Sequence, residues 1–104
     1  MNSRNKGKRG ELELAHKLQE YGFDTRRGQQ YCGANGDADV VGIPGLHIEC
    51  KRVERLNVEN ALRQAEMDAR EWEMPVVMHR ANREEWNVTL RLKNFMEIWK
   101  NDGK

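Results

Sequence analysis

The stretch from Asp37 to Lys51 constrains the fold more than any other part of the chain. It reads Asp37-Ala38-Asp39-Val40-Val41-Gly42, then Ile43-Pro44-Gly45, then Leu46-His47-Ile48-Glu49-Cys50-Lys51. Two alternating runs flank a Gly- and Pro-rich break, which is the pattern of a β-hairpin with strands over 37–42 and 46–51. A turn centred on Pro44 sets Asp39 opposite Glu49 and Asp37 opposite Lys51. Side chains on one strand face recur every second residue, and directly opposed Cβ atoms are about 4.5–5.5 Å apart. Asp39, Glu49 and Lys51 therefore converge on one face, and Leu46, Ile48 and Cys50 point to the other, toward a core.

Two carboxylates at this spacing repel each other unless a cation lies between them. Hard oxygen donors without a Cys or His cluster suit Mg²⁺ or Mn²⁺ better than zinc. Such an ion polarises a phosphoryl group and acidifies a bound water. Lys51 is placed to orient that water or to neutralise charge growing on the phosphoryl oxygens. The backbone carbonyl of Cys50 is the nearest further ligand, and Asp37 competes with Asp39 for the acidic role. The same spacing also suits a solvated cross-strand salt-bridge ladder in a chain that is 34% charged.

The remaining sequence builds a frame around the hairpin. A helix is expected over 7–21, with Leu14, Leu18 and Tyr21 on one face and Glu11, Ala15 and Leu18 along nearly the same stripe. Gly22 ends it, and 23–27 follows as a short strand. The segment 28–36 has three glycines and no periodicity, so it reads as a loop. A second helix is expected from Asn57, as N-cap, to about Trp72, burying Val58, Ala61, Leu62, Ala65 and Ala69. Strands over 75–80 and 86–92 and a helix over 93–100 complete the order α-β-β-β-α-β-β-α. This is an α/β fold, a mixed sheet flanked by helices. At 104 residues, one domain over 7–100 follows a basic, flexible arm over 1–6.

Glu11, at the edge of the first helix's apolar face, is placed to reach the metal site. Gln64, beside the stripe of the second helix, is placed to bond a substrate phosphate or Lys51. Net charge is only +1, which argues against a highly basic nucleic-acid coat. Within 1–28, however, seven basic residues (Arg4, Lys6, Lys8, Arg9, Lys17, Arg26 and Arg27) face four acidic ones, a surplus able to neutralise phosphates locally. No apolar run approaches the roughly 20 residues of a membrane span, and the first residues form no apolar signal region. Two cysteines are too few for a disulfide scaffold, so a reducing, intracellular (cytoplasmic) setting is expected. His16, His47 and His79 read as surface, edge or structural positions, His47 sharing the face of Glu49. Cys32 has no base near it in sequence. Trp72, Trp86 and Trp99 suit a core or a subunit interface.

Taken together, these residues resemble the PD-(D/E)xK nuclease superfamily. Asp39 followed by Glu49-Cys50-Lys51 matches its acidic residue and Glu-x-Lys strand, with Ala38 standing where the motif name has proline. Lys8-Arg9-Gly10-Glu11, Tyr21-Gly22-Phe23 and the later Gln64 bring it nearest the archaeal-type Holliday junction resolvases and their phage relatives, with the VRR-type nuclease domains next. The likeness covers roughly residues 6–92. It implies a restriction-endonuclease-like fold and an Mg²⁺-dependent endodeoxyribonuclease, with Mn²⁺ able to substitute. The catalytic set it implies is Glu11 (Glu13 as alternative), Asp39, Glu49, Lys51 and Gln64. Of these, Asp39, Glu49 and Glu11 hold the metal with the Cys50 carbonyl. Lys6, Lys8, Arg9, Arg26, Arg27 and Tyr31 grip branched DNA. A homodimer, with Trp86, Met96 and Trp99 as candidate interface residues, places two symmetric nicks in a four-way junction. Flap or general VRR-type cleavage and non-cleaving DNA binding are the competing expectations.

Overall fold

The structure, a computed structural model, describes residues 3–28 and 38–102, with side chains over 7–28 and 38–101. The elements follow the expected order: α1 (Ser3–Gln19), β1 (Arg26–Arg27), β2 (Val40–Val41), β3 (Leu46–Arg52), α2 (Val58–Asp68), β4 (Met74–Arg80), β5 (Asn87–Thr89) and α3 (Leu92–Asp102). The five strands form one mixed sheet in sequential order β1-β2-β3-β4-β5. All neighbours are antiparallel except β3 and β4, whose parallel pairing sets Glu49 beside Val77 and Lys51 beside His79. A parallel pair needs a crossover, and α2 supplies it.

The hairpin has the expected register, with Val40 opposite Ile48. Gly42 and Gly45 take positive φ, +123° and +85°, to make the turn. A side chain on Gly42 would also run into the backbone of Asp24 and Thr25, so only glycine fits where β1's approach crosses the hairpin.

The helices cover opposite faces of the sheet. Leu14 and Ala15 of α1 pack on Val40, Ile48, Cys50, Val76 and Met78, with Leu18 and Trp86 at the margin. Ala61, Leu62 and Ala65 of α2 pack on Val77 from the other side. The alternation of β3 decides which residue meets which helix. Leu46, Ile48 and Cys50 face α1, whereas His47, Glu49 and Lys51 face α2. The α2 N-terminus is capped as expected, the Asn57 side chain accepting from the Asn60 N–H at 3.0 Å.

Several boundaries and exposures differ from expectation. α1 begins at Ser3 and takes in residues 3–6 of the expected arm. Its interior Gly10 belongs to a helix because a Cβ there would lie 2.7 Å from the Cβ of Arg52. Tyr21 falls in the turn after α1 and is exposed, as are Trp72 and Trp99. α2 stops at Asp68 because Ala69 is already extended, which leaves Ala69 only half-buried, and Val58 stands at the exposed first turn. β1, β2 and β5 are shorter than their apolar runs. α3 carries exposed Leu92, Phe95, Met96, Ile98 and Trp99. It is tied to α2 at its start, where Arg91 bridges Glu59 and Glu66 at 2.8 and 2.9 Å. Among the described residues, no helix is long and apolar enough to cross a membrane.

Candidate active site

Asp39 lies at the beginning of β2 and is fixed through both backbone and side chain. Its N–H donates to the Ile48 carbonyl at 3.0 Å, and its own carbonyl accepts from the Gly28 N–H at 2.9 Å. Its Oδ2 accepts from the Cys50 N–H at 2.8 Å. A side-chain carboxylate thus takes a strand N–H that a ladder carbonyl would otherwise accept. The bond locks Asp39 beside the Glu49-Cys50-Lys51 segment. Lys51 Nζ lies 3.7 Å from Glu49 Oε2 on the neighbouring same-face position.

Glu49 is a buried carboxylate, its side chain 11% exposed. Burial, chiefly, and then the negative charges of Asp39 and Asp68 push its carboxyl up to about 7, against the opposing pull of Lys51. Glu11 reaches the same field from α1. Burial raises its carboxyl, and Asp39 adds to the rise, while Arg27 and Lys51 oppose it. Its Oε1 accepts from Arg27 Nε at 2.9 Å. Asp39 therefore acts on Glu49 and on Glu11 alike. Carboxylates forced together without a compensating cation disfavour their own charges. The candidate donors are carboxylate oxygens, with the His47 ring beside Glu49 and Asp68; the Cys50 thiol turns into the core, where burial raises it. These residues fit a hard divalent cation.

Asp39 thus sits between two carboxylates, Glu49 on one side and Glu11 on the other, with the Cys50 N–H bonded to it and Lys51 beside Glu49. Among the described residues, the ligand atoms that lie within 4.8 Å of one another are those of His47, Glu49 and Asp68. Gln64 lies one step away, its Nε2 donating to Asp68 Oδ2 at 2.9 Å. Asp68 itself was not singled out from the sequence. It offers a ligand atom within 4.8 Å of those of Glu49 and His47. The signal was present: Asp68 continues the Ala61–Ala65 stripe at helical spacing, where an apolar residue is expected. His47 is buried rather than at an edge, 2% exposed, with Nδ1 3.5 Å from Glu73 Oε1. It faces inward because α2 covers this side of β3.

The basic residues divide. Lys8, Arg9 and Arg26 are exposed, whereas Arg27 is half-buried and bonded to Glu11. Glu13, the alternative acid of α1, is engaged by Arg52 Nε at 3.2 Å and Arg80 Nη1 at 2.7 Å. The Lys6 side chain, Tyr31, Cys32 and Asp37 lie outside the described residues.

Comparison with known proteins agrees with this geometry. The chain is similar to Hjc of Archaeoglobus fulgidus, a Holliday junction resolvase from an archaeal hyperthermophile. The two share 26% identity over 82% of this chain and 72% of Hjc, with a TM-score of 0.61, and the restriction-endonuclease-like fold is common to both. No curated protein matches the chain. The profile of the family described as "phage putative PDDEXK endonuclease" matches residues 2–104. With the Glu-x-Lys strand locked to its upstream aspartate and the profile spanning nearly the whole length, the chain belongs to this phage PDDEXK endonuclease family.

Proposed function

We propose that the protein is a divalent-metal-dependent, structure-specific DNA endonuclease that resolves four-way junctions by paired nicks. The observation that carries the metal-dependent site is the Asp39 Oδ2–Cys50 N–H bond, which aligns Asp39 with Glu49 and Lys51. The junction specificity is supported by the likeness to a Holliday junction resolvase.

Asp39, Glu49, Glu11 and the Cys50 carbonyl hold Mg²⁺ or Mn²⁺, which when bound supplies Lewis acidity at the phosphoryl group and a more acidic attacking water. In an extended strand the N–H and C=O of one residue point to the same edge. The Cys50 carbonyl is thereby directed to the side on which Asp39 lies. Lys51, more exposed than Glu49, neutralises charge on the phosphoryl oxygens as the transition state forms. Arg27 sets the orientation of Glu11. Asp68 holds the Gln64 amide, so Gln64 acts at the margin of the site. Lys8, Arg9 and Arg26 on the exposed surface, with Lys6 and Tyr31, bind strand phosphates and a base of branched DNA. Recognition follows shape more than sequence, because phosphate contacts carry little base information.

Two nicks placed symmetrically suit a two-fold dimer with one site per subunit. The exposed apolar face of α3, with Met96 and Trp99, supports that assembly; Trp86 instead packs at the margin of the core under α1. Membership of a phage family supports a phage-encoded enzyme that acts inside the cell.

The test is a cleavage panel: a mobile four-way junction, a flap, a nicked duplex and plain duplex, with Mg²⁺, Mn²⁺ or EDTA, alongside sedimentation of the free protein. Paired nicks confined to the junction, from a dimer, are expected. Cutting of flaps or plain duplex by a monomer would keep the nuclease and overturn the resolvase. DNA binding without cutting under either metal would overturn both.

A further inference from the structure

On the α1 side of the sheet, across β3 from Lys51, two guanidinium groups hold one carboxylate. Glu13 spends one oxygen on each of two arginines, Oε1 on Arg52 Nε and Oε2 on Arg80 Nη1. Arg80 Nε is turned to the Ala81 carbonyl at 3.3 Å. Arg52 is the less satisfied of the two. A guanidinium carries five N–H donors, and among the described residues only Nε of Arg52 meets an acceptor. The side chain is just 19% exposed, yet none of its nitrogens is sealed from solvent without a partner. The unused Nη donors therefore open on a cavity.

That cavity has a volume of about 300 Å³ and is lined by Arg9, Gly10, Glu13, Arg52 and Asn82. Gly10 keeps it tight on one side, since a Cβ there would displace Arg52. The Asn82 N–H is held by Glu54 at 2.8 Å. Of the charged groups that line the cavity, Arg9 and Arg52 are basic and Glu13 is acidic. A planar fork with both Nη groups free, partly dehydrated and fixed through Nε, matches the oxygens of a phosphodiester. Arg52 directly follows Lys51 in β3 and lies on the opposite strand face.

We infer that Arg52, oriented by Glu13 together with Arg80, binds a backbone phosphodiester of the DNA strand adjacent to the scissile one. The inference rests on the nuclease reading, and Arg52 is a residue that reading did not include. Glu13 is the positioning residue, holding the fork rather than touching the strand.

The experiment is binding of a labelled four-way junction in EDTA, where no strand is cut, across a series of salt concentrations. The proteins are wild type, R52Q, R52K and E13Q, each checked by thermal melting. Each phosphate contact contributes about 0.9 to the slope of log K against log salt. R52Q should weaken binding about five- to twentyfold and lower that slope by about 0.9. R52K keeps the charge and the Glu13 pair but loses the fork. It should hold the wild-type slope with a few-fold loss of affinity. E13Q, which keeps an oxygen for Arg52 Nε while removing the opposing charge, should bind no more weakly than wild type. Affinity and slope unchanged in R52Q, or R52Q and E13Q weakened alike in step with lost melting temperature, would make the cluster a structural ion pair and overturn the inference. Wild-type protein that binds no DNA would instead overturn the nuclease reading itself.

Discussion

Replacing Glu49 by Gln should make the cation-free protein more stable at pH 8, and the size of the gain follows from the site. Glu49 is buried, and its carboxyl is raised from 4.5 to about 7 by burial first and by Asp39 next. The folded state therefore holds a proton there that the unfolded chain has released. Stability from this group is complete below about pH 4.5 and is lost as pH rises through about 7. At about 1.4 kcal/mol per pH unit, the interval amounts to about 3 kcal/mol. Glutamine, isosteric and uncharged, does not titrate. Urea unfolding followed by circular dichroism, at pH 5 and pH 8 in EDTA, measures both proteins. Wild type should lose roughly 2.5 kcal/mol more than E49Q between the two conditions, since pH 5 already lies above the unfolded value. The raised Glu11 carboxyl and the lowered His79 imidazole also titrate, but they do so in both proteins, and the difference removes them. Saturating Mg²⁺ at pH 8 should restore wild type and leave E49Q nearly unmoved, because a ligand stabilises only the state that binds it. An equal loss in the two proteins would refute the account of Glu49 as a carboxylate crowded by its neighbours.

Two further substitutions test the frame. Gly10→Ala adds a good helix former, worth about 1 kcal/mol, but its Cβ meets the Arg52 Cβ at 2.7 Å. Overpacking of that kind costs about 1–3 kcal/mol, so a net fall in melting temperature is expected rather than the usual rise. Thr25→Val removes the buried hydroxyl that donates to the Ala15 carbonyl at 2.6 Å. Leaving that carbonyl without its donor should cost about 1–3 kcal/mol in urea unfolding.

What was legible in the sequence was local. The hairpin register followed from a period of two and a turn built on Gly42 and Gly45. The Asn57 cap followed from Asn preceding an amphipathic run. Cys50 turned to the core because Glu49 and Lys51 had to turn away from it. What escaped depends on residues far apart in the chain. His47 reads as an edge residue until α2, crossing between the parallel β3 and β4, covers its face. Asp68 does not stand out in the sequence until that same crossover sets it beside Glu49. Arg27 reads as a free phosphate contact until the packing of α1 on β1 hands it to Glu11. Glu13 could stand in for Glu11 on sequence, but the pairing of β3 with β4 brings Arg52 and Arg80 to it. Tyr21 was expected on the apolar face of the first helix, and Trp72 and Trp99 in a core or a subunit interface. The described fold leaves them exposed because helix α1 ends before Tyr21, α2 ends before Trp72, and α3 projects its apolar face outward.

The central claim is that Asp39, locked to the Cys50 N–H, makes a metal-dependent phosphodiester-cleaving site with Glu49 and Lys51. The most direct test is single-turnover cleavage of a labelled four-way junction by wild type and Asp39→Asn, each with Mg²⁺ and with EDTA. Asparagine keeps an oxygen for the Cys50 hydrogen bond and removes the charge. The account predicts cutting by wild type in Mg²⁺ alone, and a loss of at least about a hundredfold in the variant, whose melting curve stays close to wild type. Undiminished cutting by the variant, or by either protein in EDTA, would contradict it.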